Sequence, residues 1–282
     1  MTNKIYPCLW FDGQAKAAAE FYCTVFDDAK IIADTPMVVT FELYGKKIMG
    51  LNGGPMFKIN PSISLFITGN SGEEIENIWN KLIAGGSAMM PLDKYPWSEK
   101  FGWLTDKFGM TWQLMTGDLP EGAQRIMPSF LFTGDQAGNA HKAITHYSTI
   151  FPDSQIHNVS FYEAGEPQPE GYLKFGTFSL NGEVFAAMDG QGEHHFAFNE
   201  GVSLVVSCET QDEIDFYWNK LTEGGQESMC GWLKDKFGVW WQIVPSIIGN
   251  LMSDPENGGK VMQEVMKMKK LDIETLVNAG KV

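Results

Sequence analysis

The chain holds 282 residues with a net charge of −14 at pH 7, 44% of them hydrophobic and 13% aromatic. Such apolar content fills globular cores, and the length is more than one compact core usually takes in. An acidic surface disfavours nucleic acid and anionic membranes as partners, because both select positive charge.

No apolar run is long enough to cross a bilayer, and residues 1–14 lack a basic segment leading into an apolar stretch. A soluble chain without a secretory leader is therefore expected. Cys8, Cys23, Cys208 and Cys230 show no CxxC spacing and suggest no disulfide framework, which fits a cytoplasmic location.

Pro7 to Phe11 is a short apolar run that reads as a strand. Ala18, Phe21, Tyr22, Val25 and Phe26 follow at spacings of three and four, the period of a helix with one buried face. Val39, Phe41 and Leu43 alternate with Thr40 and Glu42 and turn at Tyr44-Gly45-Lys46. Ser71-Gly72-Glu73-Glu74 has the form of a capping box and opens a helix that buries Ile75, Ile78, Trp79 and Leu82. Gly85 suits the left-handed position past its end. Strand segments close this half near Met115, and Gly117 to Gln124 reads as a linker.

The same order then returns. Pro128 to Phe132 is the strand, and Ala140, Ile144, Tyr147, Ile150 and Phe151 mark the helix. Phe178 and Leu180 alternate into a turn at Asn181-Gly182, a strong hairpin signal because both residues tolerate positive φ. Thr210-Gln211-Asp212-Glu213 is the second capping box, followed by Ile214, Tyr217, Trp218 and Leu221, then Gly224 and a strand near Val244. Beyond Pro245 lies a tail without a counterpart. Val261, Met262, Val265 and Met266 form a helical stripe read as core packing, and Asp272 caps a last short helix carrying Ile273, Leu276 and Val277.

The two halves share words as well as order. Trp79-Asn80-Lys81-Leu82 recurs as Trp218-Asn219-Lys220-Leu221. Gly102-Trp103-Leu104, Asp106-Lys107-Phe108-Gly109 and Trp112-Gln113 recur as Gly231-Trp232-Leu233, Asp235-Lys236-Phe237-Gly238 and Trp241-Gln242. The chain is thus one domain written twice, and chemistry common to both copies must use residue types found in both.

That control removes several candidates. All five histidines lie in the second half. The sharpest metal candidate, His194-His195 with Asp189, sits in a GQGEHH connection that reads as a solvated loop. Cys8 is replaced by Ser129 in the other copy and Cys230 aligns with Phe101, so buried thiols are expected rather than nucleophiles. Asp106 and Asp235 precede tight turns, where aspartate bonds its own backbone. The paired tryptophans read as core, with Trp112 and Trp241 as candidates for an aromatic pocket wall. No glycine-rich turn follows a strand, so no S-adenosylmethionine site is expected.

The stretch Cys230-Gly231-Trp232-Leu233-Lys234-Asp235-Lys236-Phe237-Gly238 with Trp241-Gln242-Ile243-Val244-Pro245 resembles the PhnB-like family of the vicinal oxygen chelate (glyoxalase/bleomycin-resistance) superfamily. The tail from Val261 to Ile273 is similar to the end of single-domain members. Met90-Pro91-Leu92-Asp93-Lys94-Tyr95-Pro96-Trp97 and Asn52-Gly53-Gly54-Pro55 resemble other members. The resemblance implies βαβββ modules paired into cupped mixed sheets, with the ligand inside the cup. It also implies an intra-chain pseudo-dimer, since one tandem chain equals the dimer formed by single-domain relatives.

Metalloenzymes of this superfamily take ligands from first and last strands of each module. Mapped by motif, those positions are Cys8, Ser64, Ser129 and Ser203 on first strands, and Met49, Gln113, Ala186 and Gln242 on last strands. None is His, Asp or Glu, so neither a catalytic metal nor another cofactor is expected.

The expectation is an α+β fold: a glyoxalase-like domain over 1–120, a second over 125–250, and a helical extension over 251–282. Each domain would be two βαβββ modules forming a cupped mixed sheet. The expected function is binding of a small molecule of unknown identity. Its pockets would lie near Cys8, Ser64, Gln113 and Trp112, and near Ser129, Ser203, Gln242 and Trp241. The alternative is a metal-dependent lyase or oxygenase of the same superfamily. The methyltransferase name often attached to relatives is disfavoured, and a further homodimer is left open.

Overall fold

The computed structural model describes residues 4–119, 122–190 and 192–281. They form two compact units, one of residues 7–202 and one of residues 203–281 together with 4–6. These limits differ from the repeat boundaries near 120, because strands from the two copies pair with each other inside the first unit.

The first unit contains three successive modules, except for the first two residues of the opening strand. One comprises β1 (Ile5–Phe11), α1 (Ala15–Val25), β2 (Ala29–Asp34), β3 (Val38–Leu43) and β4 (Lys46–Asn52). The next comprises β5 (Ile63–Gly69), α2 (Gly72–Leu82), β6 (Ser87–Tyr95), β7 (Ser98–Thr105) and β8 (Thr111–Thr116). The third comprises β9 (Ile126–Phe132), α3 (Ala140–Ile150), β10 (Gln155–Phe161), β11 (Leu173–Leu180) and β12 (Glu183–Asp189). The second unit carries β13 (Val202–Cys208), α4 (Gln211–Thr222), β14 (Gln226–Glu227), β15 (Trp232–Lys234) and β16 (Trp240–Pro245). It ends in α5 (Ile248–Met252), α6 (Gly258–Val265) and α7 (Ile273–Ala279).

Within a module the first strand lies parallel to the last, as in β1 with β4 and β5 with β8, and the remaining pairs are antiparallel. The second and third modules make one sheet of eight strands in the order β10-β11-β12-β9-β5-β8-β7-β6. Its seam is the antiparallel pair β5·β9, with Ser64 opposite Ser129 and Phe66 opposite Met127. The two-module sheet implied by the resemblance is therefore present, and its modules come one from each half of the chain.

Local signals explain the elements. Ser71 Oγ accepts from Glu74 N at 3.1 Å and Thr210 Oγ1 from Glu213 N at 3.2 Å, so both caps form. The glutamates reach back one residue beyond the cap, to Asn70 N at 3.0 Å and Glu209 N at 2.6 Å. Helices α1 and α3 lack a local side-chain cap. They are capped from a distance instead: Asn52 Oδ1 accepts from Ala15 N at 2.9 Å, and Asp189 Oδ1 accepts from Ala140 N at 3.1 Å. Gly85 and Gly224 take φ of 81° and 75° as expected. The glycine after each is also required, because a Cβ on Gly86 would stand 2.1 Å from the Thr105 carbonyl oxygen, and one on Gly225 2.2 Å from that of Lys234.

The tail differs in detail from the predicted stripe. Val261, Val265, Leu271 and Leu276 form its core, packed against Cys230 and Val244, whereas Met266 is exposed. Asp272 caps α7 as expected, accepting from Thr275 N at 2.7 Å. Helix α5 was not anticipated. Residues 268 and 269 run beside the segment before β15, taking hydrogen bonds from Cys230 N and Gly231 N at 2.7 Å each.

Candidate functional site

The eight-stranded sheet has two chemically different faces. On one, a Cβ at Gly69 would meet Ile75 and one at Gly102 would meet Trp79, so these positions face α2. Side chains alternate along a strand. Ser64 and Phe66 on β5, and Trp103 on β7, therefore project from the opposite face.

That face curls into a cup. In a flat sheet β5 and β11, three strands apart, would lie about 14 Å from each other. The rings of Phe66 on β5 and Phe175 on β11 nevertheless approach to 5.9 Å, and Phe66 meets Phe101 on β7 at 6.4 Å. Curvature brings the wings of the sheet over its centre. The wall continues in Tyr95 and Trp97, stacked at 5.1 Å, with Trp97 edge-on to Phe101 at 5.7 Å.

Beside these aromatics runs a polar row. Trp103 pairs across strands with Gln113, and Gln113 Nε2 donates to Ser64 Oγ at 2.7 Å. Ser64 stands opposite Ser129, which stands opposite Ala186. Ser64, Gln113 and Ser129 are all buried. The row thus joins Ser64 and Gln113 to Ser129, which the sequence alone groups with Ser203 and Gln242 in the other pocket.

Two polar groups of this row are buried without a hydrogen-bond partner: the Trp103 indole nitrogen and the Ser129 hydroxyl. Buried polar groups are ordinarily satisfied, so orphans on a cup face mark where a bound molecule would complete the bonding. Trp103 was read from sequence as core. The signal that would have found it lies in the turn: Thr105 pairs with Thr111 around Asp106–Gly109, which fixes Trp103 opposite Gln113.

Other predicted residues stand apart. Cys8 is buried on β1 opposite Met49, in the first module, and does not join the row. In the second unit Gln242 Nε2 donates to Ser203 Oγ at 3.0 Å, repeating the Gln113–Ser64 bond. Trp112 and Trp241 are corrected from pocket wall to core. Trp112 Nε1 donates to Asp106 Oδ2 at 2.8 Å, its ring meets Tyr22 of α1 at 5.1 Å, and it is fully buried. Strand alternation places it on the face opposite Gln113. Trp241 likewise donates to Asp235 Oδ2 at 2.9 Å.

Both turn aspartates bond their own backbone as expected. Asp106 Oδ1 accepts from Phe108 N at 2.8 Å and Met110 N at 3.0 Å. Its Oδ2 also takes the Tyr22 hydroxyl at 2.8 Å. Burial raises the Asp106 carboxyl above its ordinary range, opposed by these hydrogen bonds, and raises the Tyr22 phenol well above its own. Burial pushes the Cys208 thiol up to about 12, which removes it from thiolate chemistry. His194 and His195 lie in a connection between strands, and Asp189 is engaged by Gly138 N, Ala140 N and Leu173 N. A depression of about 560 Å³ lined by Asp27, Tyr44, Glu73 and Glu74 lies at the start of α2 and does not include the row.

The residues at the cup's metal-ligand positions do not fit a divalent cation. Ser64 and Gln113 satisfy each other, Ser129 offers one hydroxyl, and Ala186 offers no donor. Neutral oxygens of this kind lack the charge and basicity of imidazole or carboxylate. Among the described residues, no three or more His, Cys, Asp or Glu side chains converge as metal ligands. Among the described residues, no helix is long and apolar enough to cross a membrane.

The chain is 35% identical to the PhnB protein of Bacillus cereus, with 40% of this chain covering 98% of that one at a TM-score of 0.38. A protein from Staphylococcus aureus is 31% identical, with 41% and 97% covered and a TM-score of 0.20. Glyoxalase I from Zea mays is 11% identical, with 86% and 91% covered and a TM-score of 0.57, a likeness of fold. No curated protein matches. The family model described as 3-demethylubiquinone-9 3-methyltransferase matches twice, over residues 3–115 and 124–244. With each half matching in turn, the chain is a tandem member of the family that bears that description.

Proposed function

We propose that the protein binds a small, flat, uncharged aromatic molecule in the cup of the sheet built by its second and third modules, without a catalytic metal. One observation carries this reading: the buried, unpartnered Trp103 indole N–H and Ser129 hydroxyl on an aromatic-walled face. Both can donate, so the ligand presents hydrogen-bond acceptors such as carbonyl oxygens. The rings of Phe66, Phe101 and Phe175 supply stacking and edge contacts. Ser64 and Gln113, bonded to each other, hold the floor and add no net charge.

The description carried by the family names a methyl transfer, and the polar row offers no group suited to hold a methyl donor's charge. The lyase or oxygenase alternative needs basic metal ligands that Ser64, Gln113, Ser129 and Ala186 do not provide. Native mass spectrometry of the purified protein and titration with coumarin, a flat neutral lactone, test the proposal. Coumarin is expected to quench tryptophan fluorescence saturably, with Trp103→Phe and Ser129→Ala each weakening it about tenfold. Unchanged affinity in both variants, or stoichiometric Zn, Mn, Fe or Ni in the protein, would overturn it.

A further inference from the structure

Lys46 and Glu183 open β4 and β12, each directly after the repeated tight turn. Tyr44 and Gly45 have φ of 49° and 73°, and Asn181 and Gly182 have 50° and 76°, so the two turns share a backbone as well as a place in the repeat. Lys46 and Glu183 are therefore the same position in the two copies. They touch: Lys46 Nζ donates to Glu183 Oε2 at 2.6 Å, with side chains only 1% and 2% exposed. The Lys46 ammonium also lies 5.3 Å from the Phe185 ring centre.

A residue that contacts its own repeat equivalent lies on a local two-fold axis, the geometry of an isologous interface. Identical partners would place like against like at that point. Two buried lysines or two buried glutamates would keep the whole desolvation cost and replace attraction by repulsion. The shared scaffold words cannot discriminate in this way, because the DKFG and WQ segments are the same in both copies. Position 46/183 differs, and differs in charge.

We propose that the Lys46–Glu183 pair selects partners: it makes the two halves complementary to each other and repulsive to themselves. The repeat has thereby become an obligate pair of unlike halves. The surface around this pair accepts only the opposite half, from the same chain or from a second copy of it.

Full-length variants K46E, E183K and K46E/E183K test this. Each single reversal is expected to lower the folded-to-unfolded ratio about a hundredfold or more, and the double reversal to recover to within about tenfold of wild type. The decisive arm mixes the single variants. K46E carries glutamate at both places and E183K lysine at both, so neither satisfies itself, while each half of one complements a half of the other. The segment 117–125 spans about 30 Å at full stretch, enough for halves to exchange. Unfolded together in equal amounts and refolded, the two should yield a soluble one-to-one particle by light scattering, which neither gives alone. A double reversal no more stable than the singles, or a mixture that behaves as the two variants do separately, would refute partner selection.

Discussion

Asp106→Ala is the sharpest test of how the first unit is held together. The carboxylate is 3% exposed and accepts four hydrogen bonds, from Phe108 N, Met110 N, the Tyr22 hydroxyl and the Trp112 indole. Alanine leaves all four donors unmet. A buried donor without a partner costs about 1–3 kcal/mol, so the lower bound is about 4 kcal/mol. Part is returned because burial itself disfavours the carboxylate, as its raised pKa shows. The expected loss is about 3–5 kcal/mol, a large share of a domain's stability. Asp106→Asn keeps the turn acceptor but points an amide N–H at the indole N–H, and should cost about 2 kcal/mol. Urea unfolding followed by tryptophan fluorescence measures both. With a slope near 2 kcal/mol per molar, Asp106→Ala should lower the midpoint by about 1.5–2.5 M without changing the slope. A shift under about 0.5 M would refute the claim that this carboxylate ties α1 to the β7–β8 turn.

Ser129→Ala removes an unsatisfied buried hydroxyl and should raise stability by about 1 kcal/mol while weakening coumarin, opposite effects readable by thermal unfolding and titration. Gly86→Ala and Gly225→Ala should each cost about 2–3 kcal/mol in urea, since both drive a methyl into a carbonyl oxygen. Tyr22 supports a pH prediction. Its phenol is raised well above 10.0, chiefly by burial and then by Asp106. It stays protonated in the folded chain while the unfolded phenol ionises, so its contribution is complete below pH 10 and is lost as pH rises beyond it. In Tyr22→Phe the decline in stability above pH 10 should be shallower by urea titration, and an equal decline would contradict the assignment.

Features carried by a few neighbouring residues were legible in the sequence. The Ser71 and Thr210 caps, the Asn181-Gly182 turn and the left-handed Gly85 and Gly224 need only local chemistry. Sheet partners were not legible, because alternation shows that β5 has a buried face without naming which strand covers its edge. Trp112 was placed on the wrong face for a related reason. Strand β8 is buried on both sides from Thr111 to Leu114, so the contrast that distinguishes faces is missing. The distant caps on α1 and α3 reach back from Asn52 and Asp189, beyond any local window. Ser64 and Gln113 recur as Ser203 and Gln242, a bond visible as a repeat, whereas Ser129 reaches Ser64 only through the β5·β9 pairing between the halves.

The tail has a consequence for colloidal behaviour. Strands β14 and β15 are short, and the amides of Cys230 and Gly231 at their margin are taken by the carbonyls of Met268 and Lys269. An open margin of this kind is where foreign strands add and aggregates begin. With Met268 and Lys269 occupying these amides, a change that frees them should be felt first in solubility and only then in melting temperature.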